Sequence, residues 1–381
     1  GTTVGRHQLT SRFTAVVRIC VLDYPDTSEL ISVYDCFLSV VLNKNTDLTD
    51  KKWVNSPTER EKLANAMVDI YQKVREKFTV DDQRHYLFTP RDVTTWVKNL
   101  CRYELDKEDL LEVFIHEANR IFRDRLVGTD ACSKFDQIVT GVLRSHFRYS
   151  QPQGQSTTYF TCLTSARGTQ GASSGKGGEG KDGGGEGGAA TGGTIARMSE
   201  EDFRKLVTQG LLYYEREERE LNMLLFPESL EHIVHIDRML TSFSGHLLLV
   251  GRVGVGRRNA VTIASYMLGY ELHTPAISRD YSLKQFNADV KTILYTAGVK
   301  GEHIGFFIED FQIAGAESIL EVVNSLLSAG EVPGLYSHEE LGPLLSPLNE
   351  KMREEMASSS VVYRTTYEYF VSRVKKYLHI A

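Results

Sequence analysis

The chain has 381 residues and a net charge of −6, long enough for two or three domains with cores of their own. The charge is modest and no dense basic stripe occurs, which argues against nucleic acid or an acidic membrane surface as a direct partner. No apolar run approaches a membrane span, no secretory signal opens the sequence, and Cys20, Cys36, Cys101, Cys132 and Cys162 form no Cys-x-x-Cys pair, so neither membrane insertion, a zinc site nor a disulfide framework is expected.

In chain order, residues 16–21 read as a short strand. Apolar residues at helical spacing follow over 28–42, 59–77, 89–100 and 110–126, with Pro90 suited to a first turn after Thr89. Together these predict a helical bundle. In the stretch 171–193, 12 of 23 residues are Gly and no large apolar residue occurs, so it is expected to be a flexible surface insertion. Residues 201–220 and 227–240 read as helices. Glu231, His232 and His235 share a face of the second, a weak metal pattern better explained as a solvated or satisfied helix face.

From there strands and helices alternate: 246–250, 259–268, 283–297, 304–308 and 317–328. Alternation of this kind predicts an α/β parallel sheet covered by helices. Residues 367–377 read as a helix, and 378–381 as the first residues of a strand. With Gly1 in place of Met, that ending leads us to expect a piece of something larger with an incomplete sheet.

The segment Gly251-Arg252-Val253-Gly254-Val255-Gly256-Arg257-Arg258 has the glycine spacing of a phosphate-binding loop. In G-x-x-x-x-G-K-[ST], backbone N–H groups cradle phosphates, the Lys reaches the terminal phosphates and the hydroxyl coordinates Mg²⁺. Arg257 stands in place of the Lys, and Arg258 in place of the hydroxyl. Arg257 keeps a positive charge in a bulkier planar fork, whereas Arg258 has no lone pair for a metal. By itself the loop reads equally well as a strand-to-helix turn without a ligand.

The run 304–308 ends directly in Glu309-Asp310, and acids at the carboxyl end of a strand beside a phosphate loop are where such folds hold Mg²⁺ and polarise water. The usual order is Asp then Glu. Here it is reversed, so Asp310 falls about 1 Å or more short of the base position. Nucleotide binding through Gly251, Gly254, Val255, Gly256, Arg257, Arg258 and Asn259 is expected without productive hydrolysis, and loss of nucleotide altogether is nearly as well supported. A dinucleotide reading, with Glu271 as the ribose acid, would need a third glycine where Asn259 stands and would leave Glu309 and Asp310 without a role.

With that loop, the acidic pair and Asn324-Ser-Leu-Leu-Ser-Ala-Gly-Glu-Val-Pro-Gly-Leu-Tyr336, the sequence resembles a dynein heavy chain. The segments Gly5-Arg-His-Gln-Leu-Thr-Ser-Arg-Phe13, Val21-Leu-Asp-Tyr-Pro25, Phe88-Thr-Pro-Arg91 and His116-Glu-Ala-Asn-Arg-Ile-Phe-Arg-Asp-Arg-Leu126 are similar to the closing strand region and helical lid of a dynein AAA+ module. The Gly-Val-Gly-Arg-Arg loop most resembles the fourth module of cytoplasmic dynein two (1b), the intraflagellar-transport class.

The resemblance implies a fold of an incomplete AAA+ P-loop NTPase-type parallel sheet preceded by an all-helical AAA+ lid. Residues 1–150 would end the third module, 151–195 form the Gly-rich insertion, and 196–381 begin the large subdomain of the fourth. Arg12 matches a trans arginine finger and Arg91 a lid arginine at its own module's nucleotide. From sequence alone, an exposed ion pair is the favoured role for Arg12, and a water-exposed first-turn arginine is an equal alternative for Arg91.

The implied function is that of a ring segment in a minus-end-directed microtubule motor ATPase whose fourth module binds ADP or ATP, holds Mg²⁺ poorly and regulates rather than hydrolyses. The alternative is a structural scaffold module with an empty, vestigial loop. The rest of the heavy chain, accessory chains and microtubules are the implied partners, the last two through other regions. The implied setting is cytoplasmic and cytoskeletal, with a cilium or flagellum.

Overall fold

The computed structural model describes residues 10–20, 22–44, 56–105, 107–148, 158–163, 194–252, 254–275, 281–313, 317–358 and 361–381. The whole Gly-rich stretch 171–193, and the sequence before Thr10, lie outside these. The chain divides into two units, Gly1–Leu100 with Leu105–Gln151, and Cys101–Glu104 with Pro152–Ala381.

The first unit is helical: α1 (Ser11–Thr14), α2 (Thr27–Lys44), α3 (Pro57–Lys77), α4 (Pro90–Leu100), α5 (Leu110–Ile121) and α6 (Thr129–Phe147). Its core gathers Trp96, Phe114, Phe122 and Phe135, all fully buried, and the Trp96 indole donates to the Phe114 carbonyl at 3.2 Å. The strand expected at 16–21 does not form: among the described residues no strand lies beside it, and Val16 and Ile19 are 81% and 69% exposed. A strand without a ladder partner leaves its backbone groups to water, and apolar composition alone does not hold it. Helix α6 was not anticipated, because its first half is polar and its apolar stripe begins only at Phe135, continuing through Val139, Val142 and Leu143.

In the second unit, β1 (Thr158–Thr161) pairs antiparallel with β2 (Ala196–Ser199). Strand β1 therefore stands inside the range 151–195 that was expected to be a flexible insertion. Helices α7 (Glu200–Glu217) and α8 (Pro227–Leu240) follow, then α9 (Arg257–Leu268) and β3 (Glu271–His273). Next come α10 (Leu283–Leu294), which continues into a π-helical turn Tyr295–Lys300, β4 (Ile304–Phe306) and α11 (Asp310–Ile313). The remainder is α12 (Glu317–Ala329), α13 (His338–Leu345), α14 (Leu348–Ser358), α15 (Thr366–Tyr377) and β5 (Leu378–Ile380).

The sheet is parallel in the order β3-β4-β5, with Ile304 opposite both Glu271 and Leu378. Two apolar cores flank it, one built on α7, α8 and α9, the other on α10, α12 and α15. The π turn meets α15 so closely that a methyl group on Gly298 would lie 2.2 Å from the Phe370 ring.

The run 246–250 is not a buried strand. Leu247 N–H donates to the Ile380 carbonyl at 2.9 Å, so the segment runs beside β5, but Leu248 and Val250 are 86% and 87% exposed. With β5 on one side and no described strand on the other, only alternate side chains are covered.

Two polar clusters tie this unit together. Asp237 on α8 is fully buried, and its Oδ2 accepts from Thr161 Oγ1 at 2.6 Å and from the Cys162 N–H at 2.8 Å. Burial raises its pKa, against the opposing effects of those hydrogen bonds and of Arg102 and Arg238. Arg102, 4% exposed, donates to the Arg238 carbonyl at 3.2 Å and to Thr241 Oγ1 at 2.7 Å. Removing one side of a buried charge cluster leaves the other uncompensated, so Arg102→Met should cost about 3–5 kcal/mol in a urea denaturation series.

The second cluster is a stack in which the rings of Tyr270 and His303 lie 4.5 Å apart and those of His303 and His379 lie 5.4 Å apart. His379 Nδ1 sits 3.0 Å from the Gly245 carbonyl, which only accepts, so Nδ1 carries the proton. His379 Nε2 therefore accepts from His303 Nδ1 at 3.1 Å. Burial lowers both histidines from 6.5 to about 4. Between those values the unfolded chain binds more protons than the folded one, so stability falls as the pH is lowered from about 6.5 to about 4. Urea midpoints across that range should show this slope, and His303→Gln should flatten it.

Candidate nucleotide site

The loop between the 246–250 segment and α9 depends on two glycines. Gly254 and Gly256 have φ of 88° and 82°, in the left-handed region that other residues enter only with strain. The space where a side chain would stand at either is open. Gly256 is the N-cap of α9, makes no side-chain cap bond, and no acidic residue occupies the first turn. The N–H groups of Arg257, Arg258 and Asn259 thus point out of the positive end of a 12-residue helix, a setting that suits an anion.

The side chains divide the work. Arg257 turns back and donates to the Leu249 carbonyl at 3.3 Å, across the base of the loop. Asn259 donates to the Leu221 carbonyl at 3.1 Å, fastening α9 to the segment before α8. Arg258 reaches the acid at the end of β4, with Nη1 3.6 Å from Glu309 Oε2 and the two side chains 47% and 26% exposed. Gly251 and Val255 are exposed on the loop.

Of the acidic pair, only Glu309 meets the loop. Asp310 opens the short helix α11 and is exposed. Gln312 holds the backbone of Glu309, accepting from its N–H at 2.9 Å while donating to the Pro275 carbonyl at 2.9 Å. Sequence reasoning passed over Gln312, which its place three residues after the acid would have exposed as a cap for the strand-to-helix turn.

The donor set suits a nucleotide's phosphates but not a magnesium ion. No hydroxyl stands at the end of the loop, and the acid that would orient the metal's water is engaged by a guanidinium.

The other candidates lie elsewhere. Glu271 opens β3, at the end of the sheet opposite the carboxyl ends where a ribose acid belongs. It borders a cavity of about 710 Å³ lined also by Glu217, Arg258, Thr262 and Tyr266. His235 Nε2 is 3.8 Å from Glu231 Oε1 along α8, and among the described residues no cluster of three or more His, Cys, Asp or Glu side chains is close enough to hold a metal. In the first unit, Arg12 is exposed on α1 and Arg91 on the first turn of α4, whose start is fixed by Asp92 accepting from the Thr89 N–H at 2.7 Å.

The family model of the P-loop containing dynein motor region D4 matches residues 221–381. That of the dynein heavy chain ATPase lid domain matches residues 37–132. Cytoplasmic dynein 2 heavy chain 1 of Tripneustes gratilla is 40% identical over 384 residues, covering 99% of this chain. The chain belongs to the dynein heavy chain family. The proteins of the same name from Rattus norvegicus and Chlamydomonas reinhardtii are 39% and 36% identical over 100% and 99% of the chain.

This dynein sequence spans 8% to 9% of the length of those relatives. It is a component of the AAA+ motor ring, with a helical lid followed by a D4 region whose parallel sheet of three strands is an incomplete AAA+ fold. Among the described residues no helix is long and apolar enough to cross a membrane.

Because the loop conformation rests on positive φ, Gly256→Ala should lower stability by about 1–2 kcal/mol even with open space before it. The urea midpoint of the variant reads this directly.

Proposed function

We propose that this segment ends the third AAA+ module and begins the fourth in the ring of a minus-end-directed microtubule motor of the cytoplasmic dynein two, intraflagellar-transport class. Residues 1–150 are the tail and lid of the third module, 151–195 an insertion that also carries strand β1, and 196–381 the large subdomain of the fourth. The fourth-module loop binds ADP or ATP through Gly251, Gly254, Val255, Gly256, Arg257, Arg258 and Asn259 and does not turn it over, serving as a regulatory and structural element. Arg12 is the finger toward a neighbouring module's nucleotide, and Arg91 is the lid contact to its own.

The observation that carries the reading is an uncapped helix α9 opened by two left-handed glycines, with a guanidinium where the metal-binding hydroxyl would stand. The first half of that statement favours phosphate binding, and the second removes the means of positioning metal and water for in-line attack. Glu309 is occupied by Arg258 and Asp310 is exposed, which supports the absence of a working base. The names of the similar chains support the motor class. Microtubules, accessory chains and a cytoplasmic or ciliary setting belong to the whole motor.

The test is to incubate the chain with ADP and, separately, with ATP, measure phosphate release from ATP, and quantify nucleotide of either kind retained after desalting. The expected result is retained nucleotide with turnover slower than about 0.01 s⁻¹, against a median enzyme near about 10 s⁻¹. Release at ordinary enzymatic rates would sink the non-hydrolytic reading. Absence of retained nucleotide would establish the alternative, a scaffold module with a vestigial loop.

A further inference from the structure

In a working phosphate loop, the dication is held between the loop hydroxyl and an acid at a strand end, and it balances the phosphate charge. Here both of its positions are changed in a correlated way. The hydroxyl position carries Arg258, and the strand-end acid Glu309 is already paired with that guanidinium at 3.6 Å. A guanidinium is permanently protonated and has donors only, so it cannot ligate a metal but can occupy the electrostatic place of one.

The surroundings reinforce that substitution. Helix α9 presents the N–H groups of its first turn with no acidic residue among them, and Arg257 adds a second positive charge. A dication brought to Glu309 would meet Arg258 and the positive end of α9, both repelling it. Glu309 is in turn fixed at its backbone by Gln312, which is anchored to the Pro275 carbonyl. The backbone of the acid is thus fixed, and its carboxylate faces Arg258.

Given nucleotide at this loop as proposed above, we infer that the ligand is a nucleoside diphosphate bound without a divalent cation, Arg258 taking over the charge of the magnesium ion. The two phosphates accept from the first-turn N–H groups and from the Arg258 guanidinium, with the charge of Arg257 close by. A third phosphate without a metal would bring further negative charge toward Glu309, so the site discriminates against a triphosphate.

The experiment is an equilibrium titration of the full 381-residue chain with fluorescently labelled ADP, in excess Mg²⁺ and in excess EDTA. Unchanged Kd for the natural chain, to within about twofold, and at least about tenfold weaker binding of Arg258→Thr in EDTA than in Mg²⁺ are the expected results. Arg258→Lys keeps the charge without a lone pair and should remain indifferent to EDTA. Arg258→Ser restores the same hydroxyl ligand and serves as the second variant should Arg258→Thr not fold.

A loss of about tenfold or more in EDTA by the natural chain overturns the inference while leaving nucleotide binding intact. Binding in neither condition overturns the nucleotide reading and the inference with it. Labelled ATP in EDTA binding as tightly as labelled ADP removes the discrimination between phosphate numbers.

Discussion

A single buried carboxylate anchors the second unit. Asp237 is fully inside, and it draws together β1 through Thr161 and Cys162, and the 101–104 segment through the charge of Arg102. Its helix α8 packs directly on α9, the helix that begins at the phosphate loop. A carboxylate removed from water must be met by donors and counter-charge. Every element that supplies them is thereby committed to one position, and the loop inherits that position through α9.

Much of the fold could be read from the sequence because it rests on local pattern. The helices 28–42, 59–77 and 227–240 announced themselves by spacing, and the alternation after residue 246 implied a parallel sheet, though not its strand β3 or its order. What escaped depended on neighbours rather than on the segment itself. The apolar run 246–250 reads as fully buried, yet burial takes a cover on both sides, and Leu248 and Val250 have none among the described residues. Strand β1 is four residues next to a long polar stretch, and only its pairing with 196–199 reveals it. Helices α13 and α14 are short, although the Ser337 and Glu340 capping box that starts α13 was legible in the sequence.

The site was legible in its residue types and less so in its connections. The glycine spacing predicted the turn, and Gly254 and Gly256 adopt the conformation that spacing implies. Sequence could mark Arg258 as a lost metal ligand, but its distance to Glu309 is a tertiary fact. Two departures from the usual motif, separated by fifty residues, turn out to satisfy each other. A defect in each taken singly becomes a matched pair when both are placed in the fold.

The π-helical turn after α10 bears on how the sheet is assembled. At Gly298 the backbone lies against the Phe370 ring with no room for even one added carbon, and Arg373 donates to the Gly298 carbonyl at 2.7 Å. The fit works as a key: α15 can slide along the turn in neither direction without a collision or a lost bond. Because β5 follows α15 without an intervening loop, the same key sets which residue of β5 faces Ile304. The alignment of the strand beside the glycine loop is thus decided on the far side of the sheet, by the absence of a side chain.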